Sequence, residues 1–308
     1  MMNENLSKDN KEIKSYTENE QIVIAHEINA DCKLKVKSVL SSYICTSEQN
    51  LNELQATADE IIDDIFVNKE ITLKVYDMKL NDEVLYEHSV TVATLSILTA
   101  LMFNFTHDII TSVGMGSFLH DIGLEAIDID YTNKSLDDLD INELFEYKKH
   151  TIHGFATVEN ETWMPVLAKK IVLQHHENVN GTGYPFRQKN AMVPVKIVSV
   201  CDGFVDRICG IGYPVMKNDE AIADMQNNAG TVYDRKVLDI FLSILAVYPT
   251  GTEVVTTDGD IAKVVSQNEY YTDKPIIKLI KNANGKMFDD NFIVDLSDIR
   301  SVVIERAL

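Results

Sequence analysis

Residues 174–185 read Q-H-H-E-N-V-N-G-T-G-Y-P. Glycines at 181 and 183 permit tight turns with positive φ, and Pro185 fixes the chain as it leaves. His175, His176 and Glu177 stand at the entrance of that turn. Loops held by packed helices are where binding and catalytic groups concentrate. The loop, rich in Gly and Pro over 178–194, separates two segments with helical patterning, Pro165–His176 and Val195–Arg207.

Outward from this loop the pattern stays helical. Upstream, Val84–Phe105 reads as one long helix, Ile109–Leu119 as another that runs into HDIG at 120–123, and Asp137–Phe155 as a third. Within it, DDLDINELFE at 137–146 reads as a solvated face. From Gln21 to Phe66, apolar residues fall three and four apart: Ile24, Ile28, Leu34, Val36, Val39 and Leu40, then Leu51, Leu54, Ala58, Ile61, Ile62 and Ile65. That spacing predicts one buried stripe per helix. No Gly or Pro precedes Gly114, which favours long helices with short polar connections. Downstream, Asp219–Met225 and Asp234–Val247 complete the helical region, and the polar residues 1–20 are expected to be mobile.

The period changes near Pro249–Gly251. The runs EVVTT, IAKVVSQ, PIIKLI, NFIVDL and SVVIERA, separated by turn-like DGD, YYTDKP and NANGK, predict a small antiparallel sheet or barrel. The expected organisation is an N-terminal helical region over 1–72, a helical domain over 73–249 and a small β domain over 250–308.

Composition narrows the function classes. The 308 residues are 45% apolar and 25% charged, an ordinary globular balance. Acidic residues outnumber basic ones 48 to 28, for a net charge of −20. Such a surface repels DNA and anionic membranes, whose binding rests on basic groups. A small anionic ligand is still admitted, because bound metal ions reverse the local field. Cys32, Cys45, Cys201 and Cys209 form no CxxC pair and read as reduced thiols. The polar N-terminus has no signal-peptide stretch, and the apolar run Val90–Phe103 is too short for a span of about 20 residues. A soluble cytoplasmic protein is expected.

Five of eight histidines sit in motif-like settings: His88 in YEHS, His120 in HDIG, His150 in KKHTIHG, and the pair His175–His176. Asp121 and Asp202 join them. His26 and His107 read as surface or satisfied core residues. Imidazole and carboxylate together suit divalent first-row metals. Seven such ligands exceed the four of a tetrahedral zinc and suit two adjacent six-coordinate metals sharing a carboxylate.

Together HDIG at 120–123, HHE at 175–177 and NGTGYP at 180–185 resemble the HD-GYP domain, a bacterial branch of the HD metal-dependent phosphohydrolases. The similarity runs from about Asp82 to Val247, and the tail YPTGTEVV…DG…AKVV resembles the small β extension that follows some of these domains. The resemblance implies an all-helical HD-type bundle that hydrolyses cyclic di-GMP to pGpG, and to GMP after a second cut, through a binuclear metal-bridged hydroxide. It implies His88, His120, Asp121, His150, His175, His176 and Asp202 as metal ligands, with His120 and Asp121 central to catalysis and Asp121 bridging. His153, three residues after His150, falls outside the motif. The cofactors expected are two divalent transition-metal ions, iron or manganese for a nitrogen and oxygen site without Cys.

Four positions depart from the family pattern. Leu124 stands where the family has Lys, Asn180 and Val205 where it has Asp, and Ile211 where it has Arg. Leu124 and Ile211 remove positive charge from a phosphate pocket. Losing one oriented donor there costs on the order of 3 kcal/mol. If the lost phosphate contact is what limits the protein, restoring a cation with Leu124→Lys is expected to raise activity or nucleotide affinity. Lys196 and Arg207 are the compensating substrate-binding candidates, with Tyr184 over the cavity; Arg187 reads as surface charge. Val84, one turn before His88, cannot ligate, which favours two metals over three.

Two other functions fit the same residues. One is a catalytically weak relative that binds a cyclic dinucleotide or a signalling protein. The other is a phosphohydrolase of a different nucleotide. The N-terminal stripes either pack on the helical domain or form a homodimer.

Overall fold

The computed structural model describes residues 16–46, 48–268, 271–289, 292–299 and 301–308. The expected mobility of residues 1–15 lies outside the described residues. Residues 18–20 belong to the first helix, α1 (Glu18–Tyr43). A capping box starts it: the Thr17 hydroxyl accepts from the Glu20 amide, and the Glu20 carboxylate accepts from the Thr17 amide. Next come α2 (Glu48–Phe66), α3 (Lys69–Asn81) and α4 (Glu83–Met102). Asn68 and Asp82 cap α3 and α4 through their side chains. Then follow α5 (His107–Leu119), a 3-10 turn at Ile122–Ala126, α6 (Ile141–Lys148), α7 (His150–Val158), α8 (Val166–Gln174), α9 (Val193–Cys209), α10 (Asn218–Asn227) and α11 (Arg235–Ile244).

The single helix expected over Asp137–Phe155 is three pieces: a 3-10 turn at Leu136–Asp138, then α6, then α7. Asp140 causes the first break. Its carboxylate accepts from the Asn142 and Glu143 amides, so it acts as an N-cap in the middle of the acidic run. The second break, at Lys149, puts His150 at the first position of α7.

One core runs from Ile24 to Leu245. The stripe of α1 is buried in it through Ile24, Ile28, Cys32, Val36, Val39 and Leu40, whereas Leu34 is 69% exposed. The N-terminal stripes thus pack on the helices that carry the histidines. Helix α4 is long and apolar enough to cross a membrane by length and composition, and most of it is buried among its neighbours. It packs on α1, α3, α5 and α9, which accounts for apolar residues all round it.

The C-terminal strands are β1 (Glu253–Thr256), β2 (Ile261–Ser266), β3 (Ile276–Lys281), β4 (Ile293–Asp295) and β5 (Ile304–Ala307). They form an antiparallel sheet in the order β4-β3-β2-β1-β5. Alternation places Val254, Ala262, Val264, Ile277 and Leu279 in a second, smaller core.

Candidate metal centre

Five helices and the turns at their ends bring the seven predicted residues to one place. His88 comes from α4 and Asp202 from the middle of α9. His120 and His175 are the residues that end α5 and α8, with Asp121 and His176 following them, and His150 opens α7. All are buried except His176, which is partly exposed.

Three of the rings are oriented by the same device. The last carbonyls of a helix have no partner within it. His120 Nδ1 donates to the Ser117 carbonyl oxygen at 2.7 Å, His150 Nδ1 to Tyr147 at 2.8 Å, and His175 Nδ1 to Val172 at 3.0 Å. Each bond leaves Nε2 facing the centre.

There the Asp121 carboxylate is divided between two imidazole pairs. Oδ1 lies 3.4 Å from His150 Nε2 and 3.3 Å from His175 Nε2. Oδ2 lies 3.5 Å from His88 Nε2 and 3.4 Å from His120 Nε2. Asp202 Oδ1 adds contacts of 3.2 Å to His88 and 3.1 Å to His120, and its Oδ2 lies 3.9 Å from His176 Nδ1. Two donor groups result: His88, His120, Asp121 and Asp202; and Asp121, His150, His175 and His176. In each, the ligand atoms lie within 4.8 Å of one another.

The chemistry of this set fits cations. His150 Nε2 and His175 Nε2 face each other at 3.3 Å, although both rings already use Nδ1 as the donor. Two lone pairs at that separation call for a positive charge between them. Burial pushes the His150 imidazole down to about 4, so His150 itself does not carry that charge at neutral pH. At His120 burial is outweighed by the Asp121 and Asp202 carboxylates, which push it up to about 9. Asp121 itself is held well below the usual carboxylate range: His120, His175 and His150 overcome its burial. The carboxylates draw positive charge into the centre wherever it can be held.

Sequence reasoning missed two residues here. Asp206, one turn after Asp202 on α9, is buried with Oδ1 3.8 Å from His88 Nε2 and without a hydrogen bond. Burial, then Asp202 and Asp121, push its carboxyl well above the usual range. Its spacing of four from Asp202 was the available signal. Glu177, the third letter of HHE, is a loop clamp: its carboxylate accepts from the Phe186 amide at 2.7 Å and the Gln188 amide at 2.6 Å. The loop folds back so tightly that a Cβ on Gly183 would stand 2.3 Å from the His176 carbonyl oxygen.

Tyr184 reaches the centre. Its ring stacks on His176 with centroids 4.7 Å apart and meets His150 edge-on at 6.0 Å. The other two substrate-binding candidates are engaged elsewhere. Lys196 pairs with Asp234 at 2.9 Å. Arg207 is buried, donating to Asp224 at 2.7 Å, the Gly203 carbonyl at 2.6 Å and the Tyr233 hydroxyl at 2.9 Å. It braces α9 against α10. Leu124 and Ile211 are buried at 2% and 3% and leave the cavity wall to other residues, and His153 is exposed. The cavity beside the centre measures about 340 Å³, with Tyr147, His176, Tyr184, Asp202, Tyr213 and Tyr233 among its walls.

The HD domain family model matches residues 76–237 of this chain. Over 244 residues the chain is 26% identical to the cyclic di-GMP phosphodiesterase PA4108 of Pseudomonas aeruginosa, covering 77% of this chain and 58% of that one. It is 26% identical over 221 residues to the cyclic di-GMP phosphodiesterase PdeB of Borreliella burgdorferi, covering 70% and 56%. The chain thus spans under two thirds of the length of these curated relatives. Bd1817, an HDG"Y"P protein from Bdellovibrio bacteriovorus, aligns with a TM-score of 0.49 and 21% identity, covering 74% of this chain and 73% of that one.

Proposed function

Because this chain belongs to the HD domain family, we propose that it is a metal-dependent phosphodiesterase. It opens a 3′,5′-phosphodiester of cyclic di-GMP to give linear pGpG, with GMP after a second cut. The observation that carries the reading is the division of the Asp121 carboxylate between two imidazole pairs. On this reading His88, His120, Asp121 and Asp202 hold one divalent ion, and Asp121, His150, His175 and His176 hold the other. Bound there, the ions supply Lewis acidity toward the phosphodiester and activate water. Nitrogen and oxygen donors without a thiolate favour iron or manganese.

The protein's own part is positioning. The backbone carbonyls of Ser117, Tyr147 and Val172 lock the imidazoles, so the ligands need little rearrangement. Glu177 and Gly183 hold the loop that lays Tyr184 on His176. The tyrosines in the cavity wall offer flat surfaces suited to a guanine base. The helices over 73–249 carry the chemistry, while the β module over 250–308 contributes packing or a partner surface.

The test uses the full chain purified without oxygen. Metal analysis should find about two first-row ions per chain, and the metal-loaded protein should convert cyclic di-GMP to pGpG. The double variant His120→Ala, Asp121→Ala should lose both metal and turnover. A wild type without first-row metal sinks the reading. Tight binding without turnover makes the protein a binding module instead, and turnover of other nucleotides alone changes its substrate.

A further inference from the structure

From the cavity wall, we infer that Lys148 is the side chain that holds the phosphate of the cyclic dinucleotide lying away from the metal centre. The inference rests on the phosphodiesterase reading above and names a specificity contact within it.

Cyclic di-GMP carries two phosphodiesters. The one at the reacting position would be met by ions held by the His88, His120, Asp121, Asp202 and Asp121, His150, His175, His176 groups. The other must be placed in a cavity whose wall includes Asp137, Asp202 and Asp206, on a chain with net charge −20. A second anion there is repelled unless a cation meets it. Among the described residues Lys148 is the only lysine or arginine in that wall. The two candidates read from the sequence are spent on Asp234 and Asp224.

Lys148 is also uncommitted. Its neighbour Lys149 pairs with Glu146 and lies over the Phe145 ring. Among the described residues no carboxylate stands within 4 Å of Lys148 Nζ. Its ammonium sits over the Tyr184 ring, 5.5 Å from the centroid. Tyr184 in turn stacks on His176 and touches His150. The cation is therefore one aromatic ring away from the candidate ligands, half-buried, and held in place without being neutralised. It stands at the last position of α6, two residues before His150, so the segment that supplies a ligand also supplies the charge.

The experiment is steady-state hydrolysis of cyclic di-GMP by the Mn²⁺-loaded full chain, comparing wild type, Lys148→Met and Lys148→Arg. The Met variant should raise KM by about tenfold or more while kcat changes less, and the Arg variant should stay within about threefold of wild type. KM of the wild type should rise with salt more steeply than that of the Met variant. A Met variant with wild-type KM, metal content and melting temperature overturns the inference alone. So does loss of metal or fold in both variants, which makes Lys148 structural. A wild type that neither binds nor turns over cyclic di-GMP removes the phosphodiesterase reading, and this inference with it.

Discussion

Gly123 lies against the carbonyl of His150: a Cβ on residue 123 would stand 1.9 Å from that oxygen and 2.5 Å from the Gly154 amide nitrogen. The last letter of HDIG thus lets the 3-10 turn after Asp121 press on the first turn of α7. Two of the segments that carry candidate ligands meet backbone to backbone at this point.

Gly123→Ala should therefore push Asp121 and His150 apart. The clash is with backbone, so relief requires moving α7, at a cost of about 3 kcal/mol. Metal content and melting temperature should both fall. A variant that keeps both shows that the contact is dispensable.

Asp206→Asn separates charge from packing. Burial and the Asp202 and Asp121 carboxylates hold the Asp206 carboxyl well above its usual range. That upward shift favours the uncharged carboxyl when no cation is present, and Asn matches it in charge and size, so the metal-free variant should melt no lower than metal-free wild type. The rise in melting temperature on adding Mn²⁺ should be smaller in the variant. Equal rises in both proteins would show that Asp206 contributes nothing to cation binding.

The expectation for Leu124→Lys reverses. Leu124 is 2% exposed and belongs to the main core. A lysine there has to bury its charge or distort the turn after Asp121, so the variant should lose about 3 kcal/mol of stability rather than gain activity. Thermal melts with turnover assays decide between the two outcomes.

Tyr184→Phe keeps the ring that stacks on His176 and supports Lys148. If the hydroxyl orients phosphate or guanine, turnover or affinity falls about tenfold or more while metal and stability hold. An unchanged Phe variant restricts Tyr184 to its ring, and Tyr184→Ala should then lower stability.

The N-terminal helix provides a pH prediction. The Tyr86 hydroxyl, on α4, donates to Asp31 Oδ2 on α1 at 2.6 Å, and Lys79 stands 3.2 Å from the same oxygen. Burial raises the Asp31 pKa, but the Tyr86 and Lys79 hydrogen bonds outweigh it and leave the pKa below its ordinary 3.8. A depressed carboxylate stabilises the fold above its unfolded pKa and loses that contribution as pH falls through the folded value. Tyr86→Phe should cost about 1.5 kcal/mol near neutral pH, and the gap from wild type should narrow below about pH 4. A gap independent of pH would assign the cost to packing alone.

The resemblance carried by His88, HDIG, His150, HHENVNGTGYP and Asp202 implied a helical bundle with seven candidate ligands, and the fold brings those seven side chains together. Imidazole and carboxylate in that number are donor types that suit divalent first-row metals, which is why they stood out as candidates. The strands after Pro249 were equally legible, since alternation with period two survives without tertiary context. Charge pairing was not legible. Lys196, Arg207 and Lys148 are all basic residues near motifs, and nothing local distinguishes the two that are neutralised by Asp234 and Asp224 from the one that lies over Tyr184. The break at Asp140, the burial of Leu124 and the approach of Asp206 to His88 were likewise decided by the packed structure. Ligand type is a property of each residue. Which cation is free, and which carboxylate is stranded, depends on distances between segments far apart in the chain, and only the tertiary fold sets those.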